Sequence, residues 1–176
     1  MSLQKAIILL EEEHVVRTIT LDVGCGKAEN DASIRADIDR SASNLDVVCD
    51  AHFLPFKDSA FNVVFCSHLL EHLENPNQAL KEFKRVSSNL VMLRLPNASH
   101  ARFDLPQKYP HIFSWNATTL RSLLGKHFEK IVVNKGIWRN RAALARKRQL
   151  LTSLKFYLLT LFFEKPELEA ICWRTP

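Results

Sequence analysis

The segment Ile19-Thr20-Leu21-Asp22-Val23-Gly24-Cys25-Gly26 constrains this chain more than any other. A short apolar run ending in two glycines reads as a strand buried on both faces, of the kind found in the middle of a parallel sheet. Gly24 and Gly26 allow the backbone to turn sharply and to approach a ligand with no Cβ in the way. In open α/β sheets, ligands bind beyond the carboxyl ends of the strands, where the strand order switches sides. A small-molecule site is therefore expected just past Val23. A lone G-x-G pair is as often a plain tight turn, so the remaining segments have to decide.

Those segments alternate between strand and helix patterns. Residues 3–15 carry Leu3, Ala6, Ile7 and Leu10 on one face and read as a short amphipathic helix. Strands are expected at 17–23, 34–38, 45–49, 60–66, 90–95, 128–133 and 168–173. Only ten residues, 24–33, separate the first strand from the second, so the crossover helix must be stunted. A helix is expected over 76–86, capped by Asn75, started by Pro76 and burying Ala79, Leu80, Phe83 and Val86. Ser87-Ser88-Asn89 then suggests a shortened hairpin before the fifth strand. Residues 100–115, rich in Pro, His and aromatics, form a loop too long for a simple connector and are expected to act as a binding lid. A second helix is expected over 118–124, ending at Gly125. Residues 139–163 lack Gly and Pro and read as one long helix, basic in its first half and apolar almost all round in its second, until Pro166 breaks it. The expected fold is α/β: a Rossmann-like doubly wound sheet, in a single domain spanning 1–176 with a helical insertion at about 139–163.

Charge divides the chain. Residues 1–125 carry 13 Lys/Arg against 15 Asp/Glu, whereas 126–176 carry 11 against 4, so the net charge of +5 belongs to the tail. That excess fits an anionic partner or simply solvated helix charges. Cys25, Cys49, Cys66 and Cys172 show no C-x-x-C spacing and are expected to be reduced. No secretory signal pattern appears, and the longest nearly apolar run, 150–163, is shorter than the roughly 20 residues that span a bilayer. A cytoplasmic protein is expected.

Carboxylates follow successive strands: Asp22 beside the glycine turn, Asp37 and Asp39 after the second strand, Asp50 after the third. Each alone suits a surface turn. Together they suit a nucleoside, since one carboxylate accepts from both ribose hydroxyls and another accepts from an adenine amino group or fixes the loop that reads the base.

The segments LDVGCG (21–26), ADID (36–39), VVCDAHFLPFKDSAFNVVFCSHLLEHLENP (47–76) and RLPN (94–97) resemble the class I S-adenosylmethionine-dependent methyltransferases, over roughly residues 17–97 and more loosely to 133. The resemblance implies a seven-stranded, mostly parallel sheet with an antiparallel last strand, S-adenosyl-L-methionine as cofactor, and no metal. It implies that Asp22, Gly24, Cys25 and Gly26 surround the amino-acid end of the cofactor. Asp37 would hold the ribose hydroxyls with Ile38 and Asp39 close by, Asp50 and Ala51 would flank the adenine, and Ser67 and His68 would line the floor beneath the sulfonium. Two departures from the family pattern stand out. Ala28 replaces the third glycine, and Ser87-Ser88-Asn89 replaces a Gly-Gly turn.

The implied chemistry is in-line displacement, driven largely by positioning. If the nucleophile carries a proton, His68, His72 and His111 are the candidate bases, although Glu71 and His72 equally suit capping a helix or bonding the lid. His100, Tyr109, His111, Phe113 and Trp115 are expected to shape the acceptor pocket. The favoured acceptor is a small molecule or a lipid-like substrate. RNA or protein methylation through the basic tail, and a catalytically silent cofactor-binding subunit, remain open. The 139–163 helix admits packing on the sheet, a homodimer contact, a membrane-surface contact, or nucleic acid. A nicotinamide oxidoreductase is disfavoured: G-x-G-x-x-G fails at Glu29, and Asp37 follows Gly24 by only 13 positions.

Overall fold

A computed structural model describes residues 18–27, 31–99, 110–136 and 167–175. The expected helices over 3–15 and 139–163, and the lid residues 100–109, lie outside them.

Seven strands form one sheet: β1 (Thr20–Val23), β2 (Ile34–Asp37), β3 (Val47–Val48), β4 (Phe61–Ser67), β5 (Ser87–Pro96), β6 (Lys130–Gly136) and β7 (Glu167–Trp173), in the order β3-β2-β1-β4-β5-β7-β6. β1 to β5 pair in parallel, and β7 runs antiparallel between β5 and β6. The strand order reverses at β1, with β2 on one side and β4 on the other, which is where a doubly wound sheet opens its ligand crevice.

The helices follow from local signals. α1 (Pro76–Val86) starts where Asn75 accepts from the Gln78 amide, has proline in its first turn, and buries Ala79, Leu80, Phe83 and Val86 on the sheet. α2 (Ala117–Leu124) opens with a reciprocal cap between Asn116 and Thr119 and buries Leu120, Leu123 and Leu124. Both pack into one cluster with Leu21, Val23, Val64, Cys66, Val91, Leu93, Ala170 and Cys172. The alternate residues Val63, Phe65, Leu90, Met92, Ile171 and Trp173 collect on the opposite face, as the two-residue period of a strand requires.

Three boundaries differ from expectation. β3 is only two residues long, because Asp46 is occupied beside it: its amide donates to the Arg35 carbonyl while its carboxylate accepts from the Arg35 amide. No hairpin precedes β5. Ser87 ends α1 in an extended conformation, pairs with Phe61, and donates its hydroxyl to the Leu90 carbonyl, so helix passes directly into strand. β6 starts two residues late, since Phe128 turns into the core. All four cysteines are free thiols, as expected.

Candidate active site

Register brings the strand tips level, with Val23 opposite both Ala36 and Cys66, and Asp37 opposite Val48. Directly beyond β1 the chain turns through two left-handed glycines, Gly24 at φ 72° and Gly26 at φ 52°. A Cβ on Gly24 would fall 2.8 Å from Leu69 Cδ2, so this position demands glycine on steric grounds as well as conformational ones. A Cβ on Gly26 would meet nothing within 4 Å, which leaves open space beside the exposed turn.

Asp37 ties this turn to β2. One carboxylate oxygen accepts from the Gly26 amide and the other from the Asp39 amide, both at 2.8 Å. Each oxygen retains a second lone pair, so the group is held rigidly and can still accept from a ligand. Ile38, immediately after it, is 68% exposed. Burial raises the Cys25 thiol, and the negative charges of Asp22 and Asp37 raise it further. Burial likewise raises Cys49, reinforced by Asp50 and Asp37.

Asp50 shapes the loop after β3. It accepts from the His52 amide and lies 2.6 Å from His52 Nδ1; the backbone bond is the main reason its carboxyl sits below the ordinary range. His52 Nε2 in turn accepts from the Asn75 amide, which fixes the proton on Nδ1. Downstream, the Leu54 amide donates to Glu82, while the Arg85 guanidinium donates to the Leu54 and Phe56 carbonyls and to Asp58 and Glu82. α1 thus grips the 50–58 loop along its length.

The exit from β4 carries the second half of the site. His68 takes a left-handed φ of 52°, rare for a residue with a side chain, and its amide donates to the Arg94 carbonyl. Its ring stands between two carboxylates, with Nε2 3.1 Å from Glu167 and Nδ1 3.6 Å from Glu71. Partial burial works against the charged ring, but hydrogen bonding to Glu167 and the pull of Glu71 push it up to about 9. The 3-10 turn Leu70–His72 follows, and the Glu71 carbonyl accepts from the Ile112 and Phe113 amides. His72 Nδ1 lies 3.1 Å from the Pro110 carbonyl, and its ring lies 4.8 Å from that of His111. Segment 110–116 is thereby strapped to the turn, with Phe113 stacked on Trp115 at 5.5 Å.

Glycine turn, acidic strand tip and β4 exit all fall within residues 21–90, which match the family model of a methyltransferase domain. That segment resembles a methyltransferase domain. No curated protein sequence matches the chain. Among solved structures, the chain shares its fold with an S-adenosylmethionine-dependent methyltransferase from Thermotoga maritima, with 14% identity, 97% of this chain and 89% of that one covered, and a TM-score of 0.69. It also resembles one from Archaeoglobus fulgidus, with 18% identity, coverage of 97% and 93%, and a TM-score of 0.65. A plantazolicin methyltransferase, crystallised with a substrate analogue and S-adenosylhomocysteine, shares the fold at 12% identity, coverage of 98% and 83%, and a TM-score of 0.64.

The residues singled out from sequence fall into two groups. Asp22, Gly24, Cys25, Gly26, Asp37, Ile38, Asp39, Asp50 and Ala51 gather at the tips of β1 to β3 and the turns after them, although Asp22 is buried and Asp39 turns one oxygen back to the amide and hydroxyl of Ser41. Ser67 and His68 mark the end of β4, and His72 and His111 meet beyond it. Of the expected acceptor residues, His111, Phe113 and Trp115 stand on the strapped segment; His100 and Tyr109 lie outside the described residues. Nothing in the spacing marks His52, Glu82 or Arg85 as the groups that hold the 50–58 loop, because their partners are defined only by the packing of α1. Among the described residues, no helix is long and apolar enough to cross a membrane.

Proposed function

We propose that the chain is a methyltransferase that holds S-adenosylmethionine across the tips of β1, β2 and β3 and delivers its methyl group to a small-molecule or lipid-like acceptor seated against segment 110–116. The observation that carries this reading is Asp37, clamped between the Gly26 and Asp39 amides with accepting capacity to spare. It would take the ribose hydroxyls. Gly24, Cys25 and Gly26 would pass beside the amino-acid end, where the space around Gly26 suits a ligand. Ile38 would cover one adenine face, Asp50 and Ala51 its edge, and Ser67 and His68 would underlie the sulfur.

The bound cofactor supplies an electrophilic methyl on a sulfonium, open to in-line attack. The protein's contribution is to hold the two reactants in line and to exclude water. His68, charged near neutrality and flanked by Glu71 and Glu167, acts as a fixed element of the floor rather than as a base. A proton acceptor, where the nucleophile needs one, falls to His72 or His111 on the acceptor side when those rings hold no cation. The stacked Phe113 and Trp115 favour a small or apolar acceptor.

Asp37→Ala should weaken S-adenosylmethionine binding by about 1–3 kcal/mol, as lost charge-assisted hydrogen bonds imply. Isothermal calorimetry reads this directly; unchanged affinity would mean that the ribose is held elsewhere. Incubation with radiolabelled cofactor and fractionated extract tests the acceptor. Label in the metabolite or lipid fraction supports the reading, and label confined to RNA or protein overturns it.

A further inference from the structure

The structure assigns a divalent-cation site to Glu71, His72 and His111, on the acceptor side of the cleft. One carboxylate oxygen and one ring nitrogen from each histidine lie within 4.8 Å of one another. The three come from two segments that the strap between Glu71 and residues 112–113 holds together.

Glu71 is the decisive member. Its side chain is 1% exposed, and among the described residues neither carboxylate oxygen has a hydrogen-bond partner. The nearest nitrogens, His68 Nδ1 at 3.6 Å and His72 Nε2 at 4.0 Å, stand beyond hydrogen-bonding reach. The charged His68 ring offsets part of this burial from 3.6 Å but is shared with Glu167, so a cation in direct contact would complete the compensation. His72 is oriented to help. Its Nδ1 faces the Pro110 carbonyl, so Nδ1 carries the proton and Nε2 turns its lone pair toward Glu71. Metal-binding histidines are held in this way, with the second ring nitrogen donating to a carbonyl.

Two imidazoles and one carboxylate suit Zn²⁺ or another first-row divalent ion, whereas Mg²⁺ and Ca²⁺ prefer oxygen ligands. Metal–ligand bonds of about 2.0–2.2 Å put tetrahedral ligand atoms about 3.4 Å apart, a contraction within reach of side-chain rotation. Three protein ligands leave a coordination position for an acceptor oxygen, so the site selects acceptors with an acidic or chelating hydroxyl. This proposal departs from the expectation of no metal. Only the placement of the acceptor rests on the function proposed above; cation binding does not.

The full chain, stripped by a chelator, is to be titrated calorimetrically with Zn²⁺, Mn²⁺ and Mg²⁺. One Zn²⁺ or Mn²⁺ per chain is expected, with Mg²⁺ far weaker. His72→Ala and His111→Ala, both at half-buried positions, should weaken binding about tenfold or more. The visible absorption of bound Co²⁺ should disappear in His111→Ala while circular dichroism stays that of the parent chain. Undiminished stoichiometric binding in both variants, or no binding by the parent chain, overturns the site. S-adenosylmethionine affinity measured on the same samples separates the two readings: cofactor binding without cation binding condemns the metal site alone, and the reverse condemns only the cofactor reading.

Discussion

Gly24 and Gly26 share a left-handed backbone but do different work. At Gly24 an added methyl meets Leu69, so Gly24→Ala incurs both a left-handed penalty and a steric one and should destabilise the fold by about 2–4 kcal/mol in urea unfolding. At Gly26 the methyl meets open space, so Gly26→Ala should cost only about 1–2 kcal/mol of stability yet obstruct the cofactor. A variant pair in which binding followed stability alone would show that the space beside Gly26 is not used by ligand. The need for glycine at 24 was legible as a turn; that Leu69 causes it was not, because 45 residues separate the two in the chain.

At the scale of elements, α1 was legible to its terminal residues, since Asn75, Pro76 and the apolar spacing all report on neighbours within a few positions. Its second role was not. Arg85 and Glu82 face away from the apolar stripe and look like an ordinary surface pair, yet they bind the 54–58 backbone. Arg85→Ala should cost about 2 kcal/mol, because carbonyls and carboxylates that shared one guanidinium lose it together. Hydrogen bonding to Arg85 lowers the Glu82 carboxyl from its usual value of 4.5. The sign follows: the stabilisation is complete above that unfolded value and is lost as pH falls through the lower folded one. The stability gap between the parent chain and Glu82→Gln should therefore narrow on acidification, as urea midpoints at neutral and acid pH would show. A gap independent of pH would remove Arg85 as its cause.

Across the whole molecule, apolar runs made the central strands legible, whereas the edge strands β3 and β6 were read less well because their ends are set by neighbouring contacts, Asp46 with Arg35 and Phe128 with the core. Phe83, fully buried between α1 and the sheet, should cost about 3–5 kcal/mol when cut to alanine, read as a lowered thermal midpoint. The carboxylates after successive strands led to the expectation of a shared cleft, and the parallel pairing of β1, β2 and β3 sets the strands that carry them side by side. The meeting of Glu71 and His72 with His111 could not be read, since it depends on how residues 110–116 fold back over the β4 exit. The passage from α1 into β5 is direct, and the pairing shifts register between Phe61–Ser87 and Val63–Leu90, so one extra residue of β5 is absorbed there and the regular ladder begins at Leu90. Because Val91, Leu93 and Leu95 face one layer and Leu90 and Met92 the other, deleting a single residue inside the regular ladder from Leu90 to Leu95 would exchange the sets beyond it. Evolution or engineering can lengthen this protein only at other seams, and a length change here should yield insoluble chains rather than a slower enzyme.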